Sequence, residues 1–277
     1  MKRFYLLALA LLFTAFSFAQ KKEKIKGSKT VTVAQREIAA FENIEIEDNL
    51  QVYLSKGGAE GIEIEADDNL HEVIMSEVNG GTLKLYTAKE VSGAKSLSVR
   101  ITYTDNLKSI TAKNEVIVNA LADLQVENIT VKNLDFSKSY LNVKSTNFTL
   151  VLNDKATAEV NSQGENTTVE MSKNAELKAL IASPNVKIDM YQKTVAIIEG
   201  DAENAVIRLD NNASFTGKKF TARNMELIAE GYTTCNVMAT DSINIAASGK
   251  SETELFGKPK VSMSQFSDSA VLYKREQ

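Results

Sequence analysis

From residue 129 onward the chain is written in short apolar-polar-apolar triplets. They read Ile129-Thr130-Val131, Leu150-Val151-Leu152, Val169-Glu170-Met171, Val186-Lys187-Ile188, Ile207-Arg208-Leu209, Met225-Glu226-Leu227, Ile243-Asn244-Ile245 and Val261-Ser262-Met263. Alternation with period two marks a strand with one buried face. The triplet centres are separated by 21, 19, 17, 21, 18, 18 and 18 residues. A weaker series lies between them: Leu141/Val143, Ala158/Val160, Leu180, Val195/Ile197, Ala213/Phe215, Cys235/Val237 and Leu255.

Two strands per repeat of about nineteen residues is the pattern of a coiled solenoid. No rung buries its inward side chains alone, and stacking on its neighbours completes the core. An antiparallel sandwich also has short strands but has no reason to hold a period. The expected fold is therefore all-β, a right-handed parallel β-helix (β-solenoid) with rungs of about nineteen residues. Stacked about 4.8 Å apart, the triplets place Glu170 beside Lys187 and Arg208 beside Glu226, pairs that help fix register. Turns such as Asn153-Asp154, Asn161-Ser162-Gln163-Gly164 and Asp210-Asn211-Asn212 use residues that tolerate left-handed backbone. They lack the glycine-aspartate spacing of calcium-loaded solenoids.

The first half is less regular. Ile44-Glu45-Ile46, Val52-Tyr53-Leu54, Ile62-Glu63-Ile64, Leu83-Lys84-Leu85 and Val99-Arg100-Ile101 read as strands, and Gly57-Gly58 and Gly80-Gly81 as turns. Leu70, Val73 and Ile74 lie at helical spacing and predict one short helix over 69–76. A seam at 104–108 divides a β-rich half, 33–104, from the solenoid, 105–277, although the pattern also allows a continuous wall across it.

The first residues speak to the compartment. Lys2 and Arg3 precede an apolar run from Phe4 to Phe16, and Ser17-Phe18-Ala19 sets small residues before a cleavage point between Ala19 and Gln20. That is the layout of a secretory signal peptide over 1–19. The run is too short to cross roughly 30 Å of hydrocarbon, and no Cys follows it to carry a lipid. Residues 20–32, with Lys21, Lys22, Lys24 and Lys26, read as a disordered basic leader. Removing nineteen residues from 277 leaves 258, and losing Lys2 and Arg3 takes the net charge from −4 to −6. An acidic chain is a poor match for nucleic acid or anionic membrane.

Candidate chemistry is sparse. Cys235 is the only cysteine, so no intrachain disulfide forms, and its alternation with Val237 reads as a small buried side chain. His71 is the only histidine, too few for a multi-His metal centre, and reads as an exposed helical residue. No phosphate loop, paired-cysteine zinc pattern or nicotinamide fingerprint occurs. Asp189 and Asp210, flanking Lys187 and Arg208, are the residues an enzyme acting on polysaccharide would use, but paired carboxylates need a cleft between them. No catalytic, cofactor or metal residue is therefore expected. Tyr140, Tyr191, Tyr232 and Tyr273 are candidates for stacking surfaces on a solenoid wall that meets a glycan or protein partner. A periplasmic structural or signalling role is the alternative. Exposed rung edges allow end-to-end self-association.

Two groups of motifs carry a family resemblance. In the first half lie Phe41-Glu42-Asn43-Ile44, Ala66-Asp67-Asp68-Asn69-Leu70 and Glu77-Val78-Asn79-Gly80-Gly81-Thr82-Leu83. Near the end, Ala247-Ser248-Gly249 precedes Leu255-Phe256-Gly257-Lys258-Pro259. Over about 33–273 the chain resembles the "putative auto-transporter adhesin, head GIN domain" family (DUF2807). The resemblance implies a β-helix-like fold in exported proteins typical of Bacteroidetes, and no defined ligand residues. Ala182-Ser183-Pro184 and Asp201-Ala202-Glu203 stand where the family usually has a Ser-Gly corner.

Overall fold

The computed structural model describes residues 22–276, so the expected cleavage point at Ala19 and Gln20 lies outside the described residues. The chain winds into a β-solenoid of about nine turns with rungs of about nineteen residues. Each rung contributes one strand to each of two parallel walls. The first wall stacks Asn43–Ile46, Ser109–Ala112, Asn128–Asn133, Asn147–Leu152, Asn166–Met171 and Asn185–Tyr191. The second stacks Gln51–Lys56, Ile117–Gln125, Lys138–Lys144, Thr157–Gln163 and Glu176–Ala182. Beyond these, the long strands Val195–Asp210, Ser214–Ala229 and Thr234–Ala247 run through both walls. Lys260–Phe266 and Val271–Lys274 form the last rung.

The core is a set of stacked columns. Val131, Leu150, Val169, Ile188, Ile207, Leu227 and Ile245 share one register and are essentially inaccessible. This register corrects the expected charge pairs. Glu170 lies beside Asp189, with Lys187 beside Thr168, and Arg208 lies beside Ile228, with Glu226 beside Val206. The apolar triplets are two residues out of register at both places: Thr167 is the inward residue opposite Val186 at the first, and Ala205 is the inward residue opposite Met225 at the second. A two-residue slip preserves inward and outward faces, so alternation alone does not detect it.

A polar column does define the register. Nδ2 of Asn147 donates to Oδ1 of Asn128 at 2.6 Å, and the same bond repeats from Asn166, Asn185, Asn204 and Asn224 to the asparagine one rung before. Ser242 Oγ donates to Asn224 Oδ1 and closes the ladder. At one corner Asn114, Asp135, Asp154, Asn211, Gly231, Gly249 and Asp268 all adopt positive φ. At the other, backbone approaches so closely that a Cβ on Gly164 would stand 1.8 Å from the Ser145 carbonyl oxygen. The corners lacking Ser-Gly are built otherwise. Ser183 is buried and hydrogen-bonded to Thr167, and Ala202 is buried within a strand that continues through the bend.

The first half is interleaved. Asn43–Ile46 and Gln51–Lys56 form a rung flanked on one side by Thr82–Thr87 and Leu97–Tyr103, and on the other by Ser109–Ala112 and Ile117–Gln125. Residues 104–108 carry the chain past that rung, with the Lys108 amide donating to the Glu42 carbonyl at 2.7 Å. The walls are continuous across the expected seam. Antiparallel strands Gly61–Asp67, Val31–Arg36 and Ile74–Asn79 close this end.

Two expectations fail here. The predicted helix over 69–76 is a single 3-10 turn, Asp68–Leu70, followed by strand Ile74–Asn79. Leu70, Val73 and Ile74 do face the core, but the hairpin at Gly80-Gly81, both at positive φ, claims Ile74–Asn79 for pairing with Thr82–Thr87. The expected disordered leader is ordered from Lys22. Its ammonium bonds Asp48 and the Thr87 carbonyl, and Lys24–Lys26 pairs with Glu90–Ser92.

Candidate functional site

The family-like motif at 66–70 is a structural pin. The Asp67 carboxylate is fully buried and accepts the amides of Lys29, Lys95 and Ser96. Desolvation raises this carboxyl, but the three backbone N–H groups outweigh it and hold the group below the usual carboxylate range. Asn69 accepts from the Ser28 amide and donates to the Lys26 carbonyl. Gly27 leaves room for this contact, since a Cβ there would stand 2.2 Å from Asp67 Oδ2.

The other singled-out residues are dispersed. His71 is half-buried beyond the 3-10 turn, not on a helix, with Nε2 2.9 Å from Thr32 Oγ1. Cys235 is buried, 3.3 Å from Thr253 Oγ1, and burial pushes its thiol up to about 11. Lys187 pairs with Asp189 at 2.9 Å, which raises the lysine pKa, and Arg208 pairs with Glu230 at 3.3 Å. Asp189 stands beside Arg208 and Asp210 beside Tyr191 on one flat wall, so the two carboxylates do not face each other across a cleft. Among the described residues no three His, Cys, Asp or Glu side chains converge on a metal position.

The four tyrosines do not form one surface. Arg208 lies over the ring of Tyr191, Lys250 over Tyr232 and Arg275 over Tyr273, at 6.0, 5.3 and 5.0 Å. Tyr140 has different company. On the outer face of the second wall, Tyr140, Glu159, Lys178 and Ile197 stack in one row across four rungs. Rows on either side bring Leu180 and Val195 beside them. Tyr140, Leu180, Val195 and Ile197 are 37, 48, 41 and 40% exposed.

These residues border two adjoining shallow depressions of about 490 and 210 Å³, which share Tyr140, Glu159, Lys178 and Ile197. Leu180 and Glu199 edge the larger, Val195 and Glu176 the smaller. The result is an exposed aliphatic group beside charges of both signs, with one aromatic ring beyond Glu159 and Lys178. Leu180, Val195 and Ile197 belong to the apolar strand series expected to build the core, but they face solvent. Their inward neighbours Leu177, Ile181, Ala196 and Ile198 fill it instead. The available signal was the runs Ala179-Leu180-Ile181-Ala182 and Val195-Ala196-Ile197-Ile198, apolar on both faces of the strand.

A groove of about 640 Å³ follows the left-handed corner, lined by Phe136, Lys155, Lys173, Lys193, Asp135 and Asp154 among others. Its charges are largely internal: Lys173 pairs with Asp154, and Lys155 sits over the Phe136 ring. The second wall thus offers the more apolar surface.

The chain is thus a β-solenoid with a packed interior and its distinctive side chains displayed on a wall. The chain belongs to the "Putative auto-transporter adhesin, head GIN domain" family (DUF2807), whose model matches residues 40–259. Among solved structures it is similar to a "putative adhesin" from Parabacteroides merdae, with 14% identity and a TM-score of 0.65 over 92% of this chain and 99% of that one. A "putative adhesin" from Parabacteroides distasonis matches at 17% identity and a TM-score of 0.66, over 91% and 100%. A "putative lipid binding protein" from Parabacteroides distasonis matches at 16% and 0.56, over 91% and 100%. At these identities the likeness is one of fold. Comparison with curated proteins gives no match. Among the described residues no helix is long and apolar enough to cross a membrane.

Proposed function

We propose that this chain is a non-catalytic, exported binding module of the cell envelope that presents its second wall to a protein partner. The observation that carries this reading is the exposed aliphatic group of Leu180, Val195 and Ile197, bordered by charges of both signs, with Tyr140 beyond Glu159 and Lys178 in the same row. An apolar centre within a polar, solvated rim is the anatomy of a protein contact. Sugar stacking asks for open aromatic faces, whereas three of the four patch residues are aliphatic and the rings of Tyr191, Tyr232 and Tyr273 carry cations. That favours protein over glycan.

The test is paired protein and glycan arrays probed with the native chain and with Leu180→Asp/Ile197→Asp. Saturable protein binding, lost in the double variant at an unchanged unfolding midpoint, supports the reading. Binding only to glycans, or binding indifferent to the substitutions, sinks it. Surface proteolysis of intact cells, with fractionation, separates an outward-facing module from a periplasmic one.

A further inference from the structure

The two ends of the solenoid are finished differently. At the end closed by the antiparallel strands, Ile62, Ile64, Ala66, Leu70 and Ile74 are all buried. At the other end no described residue covers the last described rung. Val261 and Met263 continue the inward columns of Ile243 and Ile245, and Phe266 that of Ala247. Ile243, Ile245 and Ala247 are at most 2% exposed, but Val261, Met263 and Phe266 are 41, 50 and 45% exposed. On the second wall, Leu272 extends the inward column of Thr253. Among the described residues, strands Lys260–Phe266 and Val271–Lys274 pair on one edge only, with Thr234–Ala247 and Glu252–Phe256. An open core cross-section beside two unsatisfied strand edges is a template for pairing.

We propose that a second copy of this chain covers this end, in a tail-to-tail twofold dimer. The closed end offers buried apolar residues and no comparable core section, so head-to-tail stacking would leave the open apolar face poorly matched. The bare end is complementary to itself in apolar character. It is also complementary in charge, because exposed Lys258 precedes the strand, exposed Lys260 opens it and exposed Asp268 follows it. A twofold axis normal to the walls sets each terminal strand antiparallel to its twin, and it carries the lysines of one copy toward Asp268 of the other. Such an isologous contact closes on itself and forms no filament. Asp268 already accepts the Gly249 amide at 3.0 Å, which holds it at this corner.

The test is sedimentation of the chain as recovered from cells, up to about 100 μM, a range that detects even weak association. It is combined with spin-label distances from Gln265→Cys and, separately, Glu72→Cys at the closed end; the buried Cys235 thiol resists labelling. The expected result is a dimer with a short 265–265 distance and no short 72–72 distance. Met263→Asp and Lys258→Glu should each weaken the dimer at least about tenfold, the second without touching the core. A monomer throughout the range, open-ended growth, or a short distance between labels at 72 and 265 in mixed samples overturns the proposal.

Discussion

Asn166 donates from Nδ2 to Oδ1 of Asn147 at 2.8 Å while its own Oδ1 accepts from Asn185 at 3.1 Å. Each asparagine inside the ladder is thus donor on one side and acceptor on the other, and the ladder tolerates only one register. Asn166→Ala removes both bonds. Solvent competes at this exposed site, so the expected loss is about 1 kcal/mol, near the low end for two net hydrogen bonds. Urea unfolding at equilibrium measures it. A loss no greater than that of alanine at an exposed lysine would show the ladder to be ornamental.

Gly164 tests the backbone approach at the opposite corner. A methyl group there meets the Ser145 carbonyl oxygen and carbon, which are main-chain atoms and cannot swing aside. Gly164→Ala should therefore cost roughly 3 kcal/mol or more, in the range reserved for steric and backbone mechanisms. Gly58→Ala, where a Cβ meets nothing within 4 Å, is the matched control and should be close to neutral in the same assay.

Asp67 gives the fold an acid-sensitive pin. Its folded pKa is depressed because three amides bind the charged form. The stabilisation is complete above the unfolded value, near about 4, and is lost as the pH falls through the lower folded value. Asp67→Asn should be less stable than the native chain at pH 7, with the gap narrowing on acidification below pH 4. A gap that stays constant with pH would contradict the assignment.

Cys235 should be nearly inert in the folded chain. Only the thiolate attacks a disulfide reagent, and burial both raises the thiol to about 11 and blocks access. At pH 8 a chromogenic disulfide should react at least about 100-fold faster in denaturant than in buffer. Comparable rates in the two media would mean that the strand carrying Cys235 opens readily.

The all-β class, the two strands per rung and the mean period were legible because alternation reports which face is buried. Register was not legible from the same residues, since Thr167 at an inward position hid one apolar step. It was written elsewhere, in the asparagines at 128, 147, 166, 185 and 204, each nineteen residues after the last. The wall patch was harder to see. In runs such as Val195-Ala196-Ile197-Ile198 both faces are apolar, and only the packing of Ala196 and Ile198 into the core reveals that Val195 and Ile197 look outward. The interleaved order of the first half carries no local signal, because its pairings join residues far apart in the chain.

That interleaving bears on how the molecule assembles in time. Asn43 finds its outer neighbour at Ser109, 66 residues later, whereas from Asn128 onward most neighbours arrive after 18 to 20. Closing the long connection carries a greater entropic cost before any contact repays it. A chain made from its N-terminus therefore holds its first-made rung incomplete, while the later coils propagate one upon the next. Among the described rungs the one made first is thus among the last to reach its final surroundings, so the closed end is the expected slow step of folding and the place where a helper or an early misstep has most leverage.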